Sequence, residues 1–239
     1  MDLRLADKVV LVAGGTGGLG RAVSLAFLDE GSSVVVTYRR QEEFAALKAV
    51  AGPKSARLVG HESDVTDGAA VGRLVEAVLA RHGRLDILVN AVGGYAGGRK
   101  LWEQDVRVLD RMLDLNLRSG YALSRAAVPA MLAQGHGAIV NVAGRAALDH
   151  AAGIGEYAVS KAASLAMLDS LAADLKGTGV RVNSVLPGII DTEVNRKAMP
   201  AADFTKWPKP EDIAQVILFL CSDAARVIRG AAIPVYGDS

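Results

Sequence analysis

Cysteine occurs once in the 239 residues, as Cys221. A single thiol excludes an internal disulfide and a cysteine metal cluster, and its setting "VILFLCSD" reads as the apolar face of a helix. A buried structural thiol in a reducing, cytoplasmic setting is the expectation. Neither sign of charge is in excess, since 27 Lys plus Arg face 26 Asp plus Glu for a formal net charge of +1. That balance gives no electrostatic case for a nucleic acid or an anionic membrane as partner. No apolar run approaches the ~20 residues of a membrane span. The start "MDLRLADKVVLVAGG" carries charges of both signs at Asp2, Arg4, Asp7 and Lys8, which does not fit a signal peptide. The histidines show no metal-ligand spacing, and His61, His82 and His136 fall at strand or helix ends. A last absence is local. From Asn141 to Val159 there is no Ser or Thr, although this stretch leads into a Tyr and a Lys four apart, Tyr157 and Lys161.

What is present is an alternation. The β-branched runs "KVVLVA", "SVVVTY", "ARLVG", "DILVN", "GAIVNVA", "VRVNSVL" and "AAIPVY" predict seven strands. Between them "GRAVSLAFLDEG", "QEEFAALKAVAG", "AAVGRLVEAVLARHG", the stretch from Leu101 to Gln134 and "IGEYAVSKAASLAMLDSLAADLKG" have the apolar spacing of helices. Gly31, Gly52, Gly83, Gly135 and Gly177 follow these runs as helix stops. Strands apolar on both faces and separated by helices imply right-handed crossovers. The expectation is one α/β domain over residues 1–239, a doubly wound Rossmann fold with a seven-stranded parallel sheet. The turn-rich segment from Pro187 to Pro210 reads as a functional loop at the carboxyl edge of that sheet, a substrate lid over about residues 188–209.

"VVLVAGGTGGLGRAVSLAF" sets Gly14, Gly18 and Gly20 between a strand and a helix, where bare backbone and a helix N-terminus suit a pyrophosphate. A tight turn without a ligand is the alternative. The second strand ends "VVVTYRRQEE", with Arg39 and Arg40 and no acid at its tip. An acid there would accept from ribose hydroxyls, whereas arginine accommodates a 2′-phosphate, so NADP(H) is favoured over NAD(H). Two solvated arginines opening a helix ahead of Glu42 and Glu43 is the bland reading. After the third strand, Asp64 and Val65 are placed to meet an adenine, and Asp64 could equally cap a helix.

The whole chain resembles the short-chain dehydrogenase/reductase family. The resemblance rests on Gly14, Gly18 and Gly20, on "NAVG" at residues 90–93, on Asn116 in "LNLRS", on Tyr157 and Lys161, and on "PGIIDT" ending at Thr192. It implies a Tyr157 hydroxyl that protonates the group receiving hydride, and a Lys161 that binds ribose and lowers the Tyr157 pKa. It implies an Asn116 that holds a water on the proton path from Lys161. Cofactor contacts carry over to Gly14, Thr16, Gly18, Leu19, Gly20, Asn90, Ala91, Pro187, Gly188, Ile190 and Thr192, beside Arg39, Arg40, Asp64, Val65, Tyr157 and Lys161. Asn90 is expected to tie the backbone of neighbouring strands, and Asn116 could instead be a polar cap between two helices. The family usually forms dimers or tetramers through the helices that carry Asn116 and Lys161, which makes a homo-oligomer the expectation.

One position departs from the family. The serine that orients the substrate oxygen stands thirteen residues before the Tyr, and here that residue is Gly144. A carbonyl reductase lacking one of two oxyanion donors should lose on the order of 10²- to 10³-fold in rate. Within the family, the dihydropteridine reductases also lack the serine. "VGGYAGG" (92–98), "AGRAALD" (143–149) and "LPGIIDTEVNRKAMPAADFTKW" (186–207) are similar to their segments after the fourth strand, at the fifth and after the sixth. The resemblance implies reduction of a quinonoid dihydropterin or a similar conjugated ring, which spreads developing charge and needs the second donor less. Tyr95 could stack on such a ring, with Gly144, His150, Met199 and Trp207 on the substrate side. His150 could supply a second proton or lie in a solvated turn, and Met199, Phe204 and Trp207 could line the lid or pack it down. Two alternatives stay open: an alcohol or ketone reductase of the 3-oxoacyl type with the serine replaced, and an NADP-binding regulator without turnover.

Overall fold

The computed structural model describes residues 3–239. Seven strands, β1 (Val9–Ala13), β2 (Ser33–Tyr38), β3 (Leu58–Glu62), β4 (Ile87–Asn90), β5 (Gly137–Val142), β6 (Val180–Pro187) and β7 (Ala232–Val235), form one sheet. All neighbours pair in parallel, in the order β3-β2-β1-β4-β5-β6-β7. The expected doubly wound fold is therefore the observed one. The strand order reverses between β1 and β4, and the carboxyl ends beside that point form the crevice such sheets use for ligands.

Helices α1 (Gly18–Asp29), α2 (Gln41–Ala51), α3 (Gly68–His82), α4 (Val106–Leu113), α5 (Ser119–Ala133), α6 (Gly155–Asp174), α7 (Glu193–Ala198) and α8 (Pro210–Cys221) cover the sheet. Alternation along β1 shows why both faces need covering. Val10 and Val12 pack with Val23 and Phe27 of α1 and Ile217 of α8. Val9, Leu11 and Ala13 pack with Val71 and Val75 of α3, Leu123 of α5 and Leu168 of α6. Each such aliphatic side chain stabilises by about 1.5–3 kcal/mol when fully buried. Cys221 is buried at the end of α8, and burial pushes its thiol up to about 12, as expected of a structural cysteine.

Three local features differ from the sequence reading. β3 starts at Leu58, because Ala56 and Arg57 belong to a 3₁₀ turn, Gly52–Arg57, with Pro53 near its start. The stretch from Leu101 to Gln134 is broken at its beginning, and α4 passes into α5 through a π-helical turn, Asp114–Arg118. The segment after β6 is not wholly irregular, since it contains α7 and a 3₁₀ turn, Phe204–Lys206. Among the described residues no helix is long and apolar enough to cross a membrane, and no group of side chains could hold a metal ion.

Candidate active site

The turn after β1 is shaped by backbone. Gly14 has φ +72°, and its N–H donates to the Thr37 hydroxyl at 2.8 Å. A Cβ on Gly20 would stand 2.0 Å from the Gly14 carbonyl oxygen, so no larger residue fits there. A Cβ on Gly18 would stand 2.8 Å from Cγ2 of Thr192, which brings the segment after β6 against the start of α1. No side chain caps α1, and the first-turn N–H groups around Gly18 and Leu19 remain available for an anion. Ala91, whose N–H donates to Ala13 at 3.0 Å, flanks the turn. This cradle fits the pyrophosphate of a dinucleotide.

At the β2 tip the two arginines differ. Arg40 pairs with Glu43, one turn into α2, and Glu43 also accepts from the Thr16 hydroxyl at 3.1 Å. The Arg40 guanidinium, ahead of the Thr16 hydroxyl, holds Glu43 below the usual carboxylate range. Arg40 thus already has an acidic partner on α2, as an arginine opening a helix would. Arg39 is exposed and, among the described residues, makes no ion pair, although its charge helps to lower the carboxyls of Glu43 and Asp64. Asp64 closes its own turn, accepting from the Thr66 N–H at 2.9 Å and hydroxyl at 2.7 Å. It does not cap α3, a role that Asp67 fills through the Ala69 N–H. Val65 is 5% exposed, with its side chain packed in the core beside α3.

Tyr157 and Lys161 lie one turn apart on α6. The Lys161 ammonium, 6% exposed, donates to the Val142 carbonyl at 3.0 Å and lies 6.0 Å from the Tyr157 ring centre. Burial lowers Lys161 to about 8. Tyr157 moves the other way: burial, with Tyr95 beside it, raises it above the ordinary phenol range. In the chain by itself the causes of the Tyr157 shift are burial and Tyr95, and the lowering by Lys161 that the family resemblance implies is not among them.

Asn116 sits in the π-helical turn, buried, with its amide fully used. Its Oδ1 accepts from the Gly94 N–H at 2.9 Å, and its Nδ2 donates to the Gly94 carbonyl at 3.0 Å and the Ser160 hydroxyl at 2.9 Å. It is therefore not a cap between separate helices; it makes no direct hydrogen bond to Lys161, yet a Cβ on Gly93 would stand 2.9 Å from Asn116 Oδ1 and 3.2 Å from Lys161 Nζ, so the two groups flank one small gap. It fixes the loop after β4 against α6. Asn90 donates to Asn141 at 3.0 Å across the β4–β5 pairing and accepts from the Val92 N–H at 3.2 Å.

Gly144 has φ +111° and ψ 157°, a backbone state that residues with a Cβ rarely adopt. A Cβ there would stand 3.5 Å from the Tyr157 hydroxyl and 3.8 Å from the Pro187 carbonyl oxygen. The space of the absent serine therefore exists, but the backbone is not in a serine's conformation. The Tyr95 ring meets Tyr157 edge-on, with centres 5.1 Å apart and planes at 72°. Tyr95 also walls a cavity of about 360 Å³ together with Gly97, Arg99, Gln104, Val108 and Arg111. The other substrate-side residues do not line it. His150 is exposed, the solvated-turn reading, and Met199 is half-buried. Trp207 is 7% exposed and packs on Phe204 with ring centres 4.9 Å apart, so it fastens the segment to the body. Gly188 lies near the chain end, where a Cβ would be 2.6 Å from the Ser239 hydroxyl. The Ile190 carbonyl is occupied by the Thr192 N–H and Asn195 Nδ2, both at 2.8 Å. Thr192 caps α7 through the Asn195 N–H at 3.3 Å.

Residues 8–203 match the short chain dehydrogenase family. The chain belongs to the short-chain dehydrogenase/reductase family. It is 32% identical over 245 residues to a 3-oxoacyl-[acyl-carrier-protein] reductase, FabG, of Thermotoga maritima, covering 98% of each chain. It is 37% identical over 251 residues to D-threitol dehydrogenase of Mycolicibacterium smegmatis, covering 99% of this chain and 94% of that one. The L-sorbose reductase of Gluconobacter frateurii, solved with NADPH and L-sorbose, superposes with a TM-score of 0.91 at 27% identity, covering 99% and 98% of the two chains.

Several groups of this short-chain dehydrogenase/reductase escape a sequence reading. Thr37, Glu43 and Ser160 acquire their site contacts from partners 23, 27 and 44 residues away in sequence. No local pattern announces such pairings. The arginines of the cavity could have been suspected only from their proximity to "VGGYAGG".

Proposed function

We propose that this NAD(P)-dependent oxidoreductase reduces a conjugated ring, a quinonoid dihydropterin or a close relative of one, with the Tyr157 hydroxyl as proton donor. The observation that carries the reading is Gly144 at φ +111° beside the Tyr157 hydroxyl. The loop is built around a glycine conformation, not around a serine with its hydroxyl removed. A ketone concentrates developing charge on one oxygen and gains from two donors, whereas a quinonoid ring spreads it over nitrogens and a carbonyl. When bound, the nicotinamide supplies the hydride. Tyr157, held above the ordinary phenol range, keeps its proton until the ring takes it. Lys161 is the buried cation placed for the ribose, and Asn116 holds the loop that carries Tyr95. Arg39, exposed at the β2 tip and held in no ion pair, supports NADP(H) over NAD(H).

A second reading, an alcohol or ketone reductase, is supported by its similarity to a 3-oxoacyl-[acyl-carrier-protein] reductase and to D-threitol dehydrogenase. Purified protein mixed with quinonoid dihydropterin, with NADPH or NADH consumption followed by absorbance, separates the two. Turnover of the pterin supports the first reading, and consumption with ketones alone supports the second.

A further inference from the structure

The cavity beside Tyr95 has a chemistry that the reduction step does not use. Its volume of about 360 Å³ is enough for a fragment of a small molecule, and its wall combines an aromatic ring, Gln104, Val108 and two guanidinium groups, Arg99 and Arg111. Arg111 stands three residues after Val108 on α4, so both project from one helix face. Neighbouring arginines of the same region are neutralised: Arg107 by Asp105, and Arg118 by Asp114 at 2.5 Å. Among the described residues, Arg99 and Arg111 have no acidic partner. Two exposed arginines without an acidic partner line an open cleft whose wall, Tyr95, touches the proton donor, and their charge favours an anion there.

We infer that this cavity is a subsite for a carboxylate on the non-reacting part of the substrate, held by Arg99 and Arg111 while the reacting ring lies against Tyr95 and Tyr157. The inference rests on the reading that a conjugated ring reacts at Tyr157, and it adds the charge of the tail that this ring carries. Tyr95 is the shared wall, since it both meets the Tyr157 ring and lines the cavity. A substrate with a flat head and an anionic tail would therefore span both.

Two probe pairs test this by calorimetry on protein saturated with NADP+, which prevents hydride transfer to the probes. Folate, a pterin whose tail ends in carboxylates, is compared with biopterin, whose tail is uncharged. Para-acetylbenzoate is compared with acetophenone. Each anionic probe should bind on the order of tenfold more tightly than its neutral partner. The preference should shrink as salt rises, and it should disappear in an Arg99→Gln/Arg111→Gln double variant. It should persist in Arg107→Gln, whose side chain is exposed on α4 and outside the cavity. Equal binding within both pairs, absence of binding by both anionic probes, or a preference that survives the double variant overturns the inference. Failure of both pterins with a retained, arginine-dependent preference for para-acetylbenzoate sinks the conjugated-ring reading and leaves the anion subsite standing. Tight but equal binding of folate and biopterin does the reverse.

Discussion

Gly144 lies against Tyr157 so closely that a Cβ on the glycine would stand 3.5 Å from the phenol oxygen, yet φ +111° keeps any such Cβ from being accommodated without strain. Contact with the proton donor and a glycine-only backbone coincide at one residue. Forcing a non-glycine residue into such a region costs of order 1–3 kcal/mol.

That cost is measurable apart from chemistry. Gly144→Ala and Gly144→Ser should both lower the thermal midpoint of unfolding by several degrees, in step with a loss of about 1–3 kcal/mol. The serine variant should then exceed the alanine variant on ketones by ~10-fold or more, because only it restores a second donor, and the two should match on a quinonoid ring. Equal ketone rates for Ser and Ala, with no loss of stability, would show that neither the strain nor the missing hydroxyl matters.

Tyr157→Phe removes the proton donor and leaves the ring edge against Tyr95. Turnover should fall by ~10²-fold or more, while NADPH binding, read by fluorescence, stays close to wild type. A regulator without turnover would behave identically with either residue. That outcome would retire every catalytic reading at once.

The pH dependence follows from Lys161. Its pKa is lowered to about 8, so the cation is present below that pH and lost above it. Tyr157 is raised, so it remains the protonated donor through the same range. The kcat/KM for NADPH, which reports the free protein, should be level below about pH 8 and decline above it. Lys161→Arg should move the decline upward, whatever its effect on the plateau, because a guanidinium keeps its charge. A wild-type profile level well beyond pH 8 would contradict the assignment.

Arg39 and Arg40 are adjacent in sequence and unequal in the fold, since only Arg40 is tied to Glu43. Arg39→Gln should raise the KM for NADPH about tenfold and leave NADH within about twofold. Arg40→Gln should do less. Equal losses with both cofactors would mean that Arg39 does not read the 2′-phosphate.

The strands were legible because burial on both faces leaves near-continuous β-branched runs such as "SVVVTY", which coincides with β2. The short helix α7 was not, because Glu193–Ala198 buries no residue and carries no apolar stripe. Nor was the π-helical turn, whose cause is tertiary: Asn116 must reach Gly94 and Ser160 at once. At the site, Tyr157 and Lys161 could be read from spacing, and Gly144 could be read as an absence. That Gly144 needs its unusual backbone, that Val65 belongs to the core and that Trp207 is buried depend on how distant segments meet.

The most direct measurement is NADPH oxidation on addition of quinonoid dihydropterin, set beside the same assay with a 3-oxoacyl ester and a ketose. A ring reductase with Tyr157 as its donor predicts rapid oxidation with the pterin, at a kcat/KM on the order of 10²-fold above either carbonyl substrate. It also predicts loss of that activity in Tyr157→Phe. No oxidation by the pterin with NADPH or NADH, alongside efficient reduction of either carbonyl substrate, would contradict it.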